Sequence, residues 1–442
     1  MNRTLIHNAR IVDGPAPRLG YILVEDTRIT LKASGPAPQS LIDSTSEAID
    51  AREAFLLPGL VDTHVHFREP GLEHKGDIRT ESLAAAAGGV TQVFDMPNTV
   101  PATTDLSALA AKTQAAREKG AYVRYTPLMG IVPGGTAQLA SLAPGALPAV
   151  KLFLGTSTGN MRSPEGRELE ELFRICAALA LPIIVHAEDN AIIARNMDAA
   201  LARYGTPEAI PVSQHHHIRS REACLRASAA AVELAERFGT RLHLAHVTTA
   251  DEVHQLLCEG PTKGKLITAE TTPLYLDPAL ADENMRTALH KVNPAIKTPA
   301  DAQALREALA TGAIDTIATD HAPHLLHEKT QPGMKAASGA PSVQFALPLM
   351  LTYLDMWTVV RKMTLGPADI FGITACRLSP GDPADLTLLR EVPEYRITAD
   401  LVLSRCAWTP FENRLIHHRV ERTWVAGTTV YADGQPSATV AL

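Results

Sequence analysis

The stretch Val61-Asp62-Thr63-His64-Val65-His66-Phe67-Arg68-Glu69-Pro70-Gly71 continues an apolar run, Phe55-Leu56-Leu57-Pro58-Gly59-Leu60, and predicts a buried β-strand that ends in polar residues. On a strand, residues i and i+2 point to the same side, so His64 and His66 present two imidazoles to one point, as a metal ion requires. Arg68 continues the alternation, which places a cation beside that point and favours an anionic substrate. A structural histidine pair at a strand end explains the two histidines equally well at this stage.

Further short apolar runs follow along the chain, and they also end in polar residues. They span residues 90–98, 121–127, 149–155, 181–188, 241–247, 266–271 and 315–321. Helix-like patterns lie between the strand candidates, at residues 80–88, 106–119, 165–180, 221–238 and 301–311. Eight strand–helix units predict an α/β protein with a (β/α)₈ TIM barrel, whose active site lies at the C-terminal ends of the strands.

Residues of the types that bind metals fall at or near those strand ends. They are His64, His66, Lys151, His186, His246 and Asp320. One histidine at a strand end is more often structural than a ligand. Six such residues in one ring are poorly explained by coincidence, so the sequence predicts a metal-dependent active site.

The two ends of the chain do not fit the strand–helix pattern. Residues 1–56 and 379–442 carry short β-type alternations separated by Gly, Pro and Asp. Each end is too short to form a domain alone. We expect them to pair into one small β-sandwich beside a barrel of residues 57–378.

Composition excludes several classes of protein. The chain has 442 residues and a net charge of −7, and no basic block indicates a nucleic-acid partner. The first residues lack the apolar core of a signal peptide, and no apolar run approaches the roughly 20 residues of a membrane span. The five cysteines are scattered and odd in number, which favours free thiols in a reducing compartment, and hence a cytoplasmic protein.

Several motifs together carry a resemblance to a known family. They are 62–71, Asp95-Met96-Pro97-Asn98-Thr99, Lys151 in its apolar strand, His186-Ala187-Glu188, His246-Val247-Thr248, 292–297 and Thr319-Asp320-His321-Ala322-Pro323-His324. With the tail around 384–386 and 420–427, they resemble the dihydroorotases of the amidohydrolase superfamily over nearly the whole chain. Thr272-Pro273-Leu274 departs from the family's frequent Cys-Pro-His, and Phe371-Gly372-Ile373-Thr374-Ala375 from its frequent Asn-Pro-Ala.

The resemblance implies a site with two zinc ions. His64 and His66 would bind one ion and His186 and His246 the other, with a carboxylated Lys151 as the bridge. Asp320 would complete the first ion's ligands and carry a proton during catalysis. A lysine ammonium cannot bind a cation, so Lys151 must first lose a proton and react with carbon dioxide; burial in its apolar strand favours the neutral amine. Taken alone, Lys151 is better read as a substrate-binding cation or an ion-pair partner.

The resemblance also implies the substrate contacts. Arg68 would bind the carboxylate of dihydroorotate, Asn98 would assist there, and Asn293 and His324 would meet the ring's amide groups. Both asparagines can instead serve the turns beside Pro97 and Pro294. The run His215-His216-His217 is interpreted as a solvated helix start and not as a metal site.

The activity implied is the reversible cyclisation of N-carbamoyl-L-aspartate to L-dihydroorotate by an enzyme that is a homo-oligomer, expected to be a dimer. A related cyclic amidase, such as a hydantoinase, dihydropyrimidinase or allantoinase, is the alternative, and Arg68 argues against the first two. An inactive scaffold subunit, supporting a partner such as aspartate transcarbamoylase, should have lost ligands that are present here. Residues 155–160 follow Lys151 and are either a loop that closes on substrate or a plain βα turn.

Overall fold

A computed structural model of the chain describes residues 2–155 and 161–440. The prediction of a closing loop at 155–160 lies, apart from Gly155, outside the described residues.

Strands are numbered in chain order. They are β1 (Arg3–Ile11), β2 (Arg18–Glu25), β3 (Arg28–Ser34), β4 (Glu47–Asp50), β5 (Phe55–Pro58), β6 (Leu60–Val65), β7 (Val90–Asp95), β8 (Arg124–Pro127), β9 (Met129–Gly130), β10 (Val150–Leu154), β11 (Ile183–Ala187), β12 (Leu242–Leu244), β13 (Ile267–Thr271), β14 (Thr316–Ile317), β15 (Leu386–Arg396), β16 (Leu415–Val425), β17 (Thr428–Ala432) and β18 (Gln435–Pro436).

The α-helices are numbered in the same way. They are α1 (Gln39–Asp43), α2 (Ile78–Ala87), α3 (Leu106–Lys119), α4 (Thr136–Leu139), α5 (Gly166–Ala178), α6 (Asn190–Tyr204), α7 (His215–Ile218), α8 (Arg221–Phe238), α9 (Ala250–Leu256), α10 (Pro273–Leu276), α11 (Pro278–Ala281), α12 (Pro299–Thr311), α13 (Leu326–Lys329), α14 (Ala346–Met350), α15 (Met356–Lys362) and α16 (Leu365–Phe371). No helix in the described parts of the chain is long and apolar enough to cross a membrane.

Strands β6 to β14 form the barrel, and all their pairings are parallel. The third position is divided into β8 and β9, which only Leu128 separates. A bridge between Val65 at the end of β6 and His321 beyond β14 closes the ring. Each predicted apolar run contains one barrel strand, so the predicted (β/α)₈ fold is confirmed.

Helix boundaries follow from capping residues in the sequence. Asp77 accepts a hydrogen bond from the Thr80 amide at the start of α2, and Thr298 does the same for Asp301 at the start of α12. Gly312, with φ 83°, ends α12 in the left-handed conformation that glycine adopts without strain. The helices predicted at 106–119 and 221–238 have the bounds of α3 and α8.

The two ends of the chain pair with each other, as predicted, and where a small β-sandwich was expected they form one sheet. In the described residues this sheet has nine strands, with β1 at its centre next to β2, β4 and β5, and with β15 antiparallel to β5. The β2–β3 turn reaches the C-terminal half, because the Ala384 amide donates to Thr27 O and the Ile29 amide to Asp382 O. Residues from both ends of the chain form an apolar cluster on this sheet, which includes Ile22, Leu56, Leu386 and Trp424. The boundaries at 56/57 and 378/379 stay predictions.

A C-terminal segment between β15 and β16, residues 397–414, leaves the sheet and packs on the barrel. Trp408 Nε1 donates to His324 O at 2.6 Å, and the Arg405 amide donates to the fully buried Glu81 carboxylate at 3.0 Å. Arg414 forms an ion pair with Asp277 at 2.7 Å. This segment therefore supports the barrel at the end where the strands terminate.

A buried ion pair fixes the loop after β6 to its neighbours. Asp95, at the end of β7, accepts hydrogen bonds from the Phe67 amide at 2.8 Å and from the Tyr125 hydroxyl at 2.5 Å. Lys112 of α3 lies 2.8 Å from the same carboxylate, and both side chains are almost fully buried.

Gly71 ends the loop with φ 84°, where a Cβ atom would lie 1.8 Å from Val100 O.

We predict that Lys112→Met lowers the free energy of unfolding by about 3–5 kcal/mol, because it leaves the Asp95 carboxylate buried without its cation. Urea titration followed by circular dichroism measures this change, or the thermal midpoint where unfolding is irreversible.

Arg195→Met is the matched control, since the Arg195–Glu222 pair is more than half exposed on both sides. Its expected effect is about 0–1 kcal/mol. Equal effects of the two substitutions would contradict a structural role for the buried pair.

Candidate active site

A cavity opens at the C-terminal ends of the barrel strands, as the fold predicts. It is lined by His64, His66, Arg68, Asn98, Lys151, Phe153, His186, His246, Asn293, Asp320, Ala322, Ser338 and Gly339. All six predicted metal ligands are in this set, together with three of the four predicted substrate residues. His324 does not line the cavity but lies behind Arg68, while Ser338 and Gly339 were not singled out by the sequence.

One group of potential ligands comes from β6 and from the residues after β14. His66 Nε2 lies 3.0 Å and His64 Nε2 3.5 Å from Asp320 Oδ1. The three atoms lie within 4.8 Å of one another, so one metal ion can contact all of them. Burial lowers the pKa of His66 to about 4 and keeps it neutral, which is the form that binds a metal.

Hydrogen bonds on the far side of each ring decide which nitrogen faces this point. His64 Nδ1 lies 2.5 Å from Glu270 Oε1, and His66 Nδ1 lies 2.7 Å from Asn98 Oδ1. A carboxylate or amide oxygen accepts a hydrogen bond, so each Nδ1 carries the proton. Both Nε2 lone pairs therefore point into the cavity, as metal binding requires.

Glu270 is a residue whose role the sequence did not indicate. It is fully buried at the penultimate position of β13, and besides His64 it contacts His243 Nε2 at 3.3 Å and the Thr63 hydroxyl at 3.4 Å. Burial acts to raise its pKa, but the electrostatic interactions and hydrogen bonds with His64 and His243 outweigh this and hold the pKa well below the usual value. The one signal in the sequence was a carboxylate inside an otherwise apolar run.

A second pair of imidazoles comes from β11 and from the residues after β12. His186 Nδ1 lies 2.9 Å from His246 Nε2. On the opposite sides of the rings, His186 Nε2 lies 3.2 Å from Glu188 Oε2, and His246 Nδ1 is buried with no hydrogen-bond partner within the described residues. Burial lowers the pKa of both rings. Two neutral imidazoles whose nitrogens converge fit a second metal ion.

Lys151 lies between the two groups. It is fully buried on β10, and its Nζ is 3.4 Å from His64 Nε2 and 5.3 Å from the centre of the Phe153 ring. Burial lowers the pKa of Lys151 to about 8, although Glu270 and Asp320 act against this shift. The neutral form of this amine is therefore much more populated near neutral pH than that of an exposed lysine.

Asp320 is held by the join between the first and last barrel strands. Asp62 accepts hydrogen bonds from the Thr319 amide at 3.0 Å, the Thr319 hydroxyl at 2.5 Å and the His64 amide at 3.3 Å. Asp320 follows with φ 48°, a left-handed conformation that costs a non-glycine residue energy and is common at functional sites. Burial acts to raise the pKa of Asp320, but His64, His66 and His246 outweigh it and keep the carboxylate ionised.

Arg68 forms the cationic wall of the cavity. It is 3% exposed, and its Nε donates to Pro323 O at 2.9 Å while its Nη2 lies 3.1 Å from His324 Nε2. Within the described residues no carboxylate lies at ion-pair distance from Arg68. Burial lowers the pKa of Arg68 to about 10, so the group stays charged. Lys75, paired with Glu328 at 2.8 Å, reaches His324 Nδ1 at 3.3 Å and supports the ring from behind.

The histidine run at 215–217 differs from its prediction as a solvated helix start. His215 is buried beneath the segment that carries Asn293 and contacts Asn293 from far along the chain. His216 is partly buried, and His217 is exposed. His216, His217 and Glu283 form a second, more exposed group that could hold a metal ion.

Comparisons with known proteins agree with this geometry. The model of the amidohydrolase family matches residues 55–430. The chain is 34% identical over 423 residues to the dihydroorotase of Methanosarcina acetivorans, covering 92% of this chain and 87% of that protein. It is 34% identical over 441 residues to the dihydroorotase of Syntrophobacter fumaroxidans, covering 97% of each.

Solved structures that share the fold are named for other cyclic amide substrates. The L-hydantoinase (dihydropyrimidinase) of Arthrobacter aurescens superposes with a TM-score of 0.90 and 27% identity, covering 99% of this chain and 98% of that one. The dihydropyrimidinase of Brevibacillus agri, with a TM-score of 0.85 and 21% identity, shares the fold over 99% of this chain and 97% of its own. The resemblance inferred from the motifs is confirmed: the chain belongs to the amidohydrolase family.

Proposed function

We propose that this protein is a dihydroorotase, which interconverts N-carbamoyl-L-aspartate and L-dihydroorotate by closing or opening one cyclic amide bond in pyrimidine synthesis. The observation that carries the proposal is Arg68, a buried guanidinium on the cavity wall with no carboxylate partner among the described residues. Leaving a charge buried and unpaired is costly, so the cavity favours a ligand that brings a carboxylate. The relatives named dihydroorotase support the same assignment.

The residues of the cavity fit two divalent metal ions, which we propose to be zinc. His64, His66 and Asp320 would hold one, His186 and His246 the other, and Lys151 would lie between them. Imidazole nitrogens and carboxylate oxygens are ligands that zinc prefers. The bound metal supplies a Lewis acid for the ring carbonyl and a lowered pKa for water.

Lys151 contributes to this set as a carbamate. Its neutral amine attacks carbon dioxide, a C–N bond forms and one proton leaves, which gives a carboxylate with two oxygens in place of an ammonium. The burial of Lys151 supports this step, because it lowers the pKa of the amine to about 8. The product would be stabilised by the imidazole-rich surroundings and by the metal ions it contacts.

Asp320 moves the proton. In ring opening, water adds to the ring carbonyl, and the Asp320 carboxylate accepts a proton from that water. The C–N bond then breaks, and Asp320 returns the proton to the leaving nitrogen. Its ionised state and its position beside His66 support the role of base. Arg68, assisted by Asn98 and backed by His324, would hold the carboxylate throughout and fix the ring against the ligands.

A cyclic amidase acting on neutral rings is the second candidate, favoured by the likeness to L-hydantoinase. Dimerisation, association with a transcarbamoylase and a cytoplasmic location stay predictions. All five cysteines lie in the described part of the chain and are unpaired, which supports a reducing compartment.

Arg68→Met tests the substrate. We expect kcat/KM for dihydroorotate to fall by about 10- to 150-fold, the equivalent of a lost charge-assisted interaction of about 1.5–3 kcal/mol. Turnover of dihydrouracil, hydantoin and allantoin should not fall, because these rings carry no carboxylate. The control is Arg195→Met, which removes an exposed arginine. A wild-type enzyme that handles a neutral ring as well as dihydroorotate would assign the chain to the second candidate.

Lys151→Ala tests the bridge. The variant should lose bound zinc, measured by atomic absorption, together with nearly all activity, because the two metal positions lose their shared ligand. A short carboxylic acid added in solution should restore part of both by replacing the carbamate. Undiminished metal content and turnover in the variant would exclude the bridging role.

Asp320→Asn tests the proton transfer. The amide keeps the size of the carboxylate but not its basicity, so kcat should fall by about 10²–10⁴-fold while KM changes much less. Asp369→Asn, on an exposed carboxylate of α16, is the control and should leave kcat unchanged. Full turnover by the Asp320 variant would mean that another group carries the proton.

A further inference from the structure

Asn293 lines the cavity on a short segment whose backbone is held from several sides. Tyr275 Oη donates to Pro294 O at 2.6 Å, and His215 Nε2 donates to Val292 O at 2.9 Å. The Gly339 amide donates to Lys291 O at 2.9 Å. With the backbone fixed in this way, the main freedom left to Asn293 is rotation of its terminal amide, which exchanges Oδ1 and Nδ2.

His215 determines which way the terminal amide of Asn293 is turned. The Val292 carbonyl can only accept a hydrogen bond, so the His215 Nε2 that lies 2.9 Å from it must carry a hydrogen. The same Nε2 lies 3.1 Å from the side-chain amide of Asn293. Only Oδ1 can occupy that position, because the NH₂ group would place two donors against each other. The assignment therefore follows from the carbonyl and does not depend on telling oxygen from nitrogen in the amide.

The protonation of His215 is consistent with this arrangement. The ring is 8% exposed, and burial lowers its pKa well below the usual value, with Lys291 and Arg219 acting in the same direction. The ring is therefore neutral and has one hydrogen, which the two oxygens fix on Nε2.

We infer that His215 is a positioning residue that turns the Nδ2 hydrogens of Asn293 toward the substrate, so that this wall of the cavity offers a donor and selects a substrate oxygen. The inference rests on the proposed function for the identity of the substrate ring. It goes beyond the proposed function in two ways. It excludes a contact between Asn293 Oδ1 and an N–H of the substrate ring, and it assigns a role to a histidine that touches neither substrate nor metal.

A first experiment exchanges the polarity of Asn293 itself. Asn293→Asp has the same shape, but its second oxygen meets the substrate as an acceptor. If Asn293 offers a donor, kcat/KM for dihydroorotate should fall further in Asn293→Asp than in Asn293→Ala, by about tenfold or more. If Asn293 offers its oxygen, Asn293→Asp should be the milder change, and the inference is overturned.

A second experiment tests whether His215 acts through Asn293. His215→Phe keeps a ring but removes the N–H, and we expect KM to rise about 5- to 10-fold while kcat changes less than about threefold, the size of one lost neutral hydrogen bond. His215→Gln, which retains a donor, should recover most of the loss. In the double variant His215→Phe/Asn293→Ala, KM should be no higher than in Asn293→Ala alone.

Tyr275→Phe is the matched control, since it removes a hydrogen bond to the same backbone segment without touching the amide. Its effect should multiply with that of Asn293→Ala. If the effect of His215→Phe multiplies in the same way, His215 supports only the backbone and the inference is wrong. Zinc content and thermal midpoint, measured on each variant, separate these effects from a loss of folding.

Failure of the proposed function is recognised separately. A wild-type protein that does not turn over dihydroorotate refutes that proposal, and the same cycle is then run on the neutral ring that it hydrolyses fastest. Independently of activity, the ¹⁵N shifts of the labelled His215 ring report its tautomer. A proton on Nδ1 in place of Nε2 would overturn the inference for any substrate.

Discussion

The imidazoles of His64 and His66 must each have the ring hydrogen bonded on one side if the lone pair is to face the cavity, and the surrounding structure depends on that constraint. Glu270 meets it for His64 and Asn98 for His66, each from a different strand end. A neutral ring without such a partner could turn its N–H toward the metal position. Glu270 and Asn98 therefore determine what the cavity can bind as much as His64 and His66 do.

The same constraint explains why carboxylates are buried beneath the site. Glu270 is fully buried, yet it contacts His64, His243 and Thr63, so its charge is compensated by donors on several sides. Asp62 is compensated in the same way by Thr319 and the His64 amide, and burial still raises its pKa to about 7. These contacts join β6 to β13 and to the residues after β14. The same hydrogen bonds therefore close the barrel and orient the candidate metal ligands.

The sequence predicted the parts of this site that follow from periodicity. Alternation along 61–68 placed His64 and His66 on one face, and the apolar runs located the barrel strands, because burial of a parallel strand leaves a continuous apolar pattern. The geometry brings the residues predicted in this way to one cavity.

Other parts could not be predicted because they depend on pairs far apart in the chain. Glu270 lies 206 residues from His64, and no spacing rule connects a carboxylate on one strand with a ring on another. His215 was expected in solvent, since a polar run at a helix start has no local reason for burial. Its partners, Val292 and Asn293, lie 77 and 78 residues away. Tertiary packing alone decides that the first of three histidines is buried.

The positions of the charged side chains in the cavity determine the orientation in which a ligand can bind. The partly exposed carboxylate of Asp320 and the buried one of Glu270 lie at the imidazole cluster, whereas Arg68 lies on the wall formed with Pro323 and His324. A ligand with a carboxylate at one end and an amide carbonyl at the other has one favourable orientation in such a cavity, because only that orientation pairs its anion with the buried Arg68 and leaves its carbonyl at the candidate metal ligands. A neutral ring lacks that preference. Orientation by charge therefore adds to affinity, since it brings the amide bond to Asp320, the proposed proton carrier, in a single arrangement.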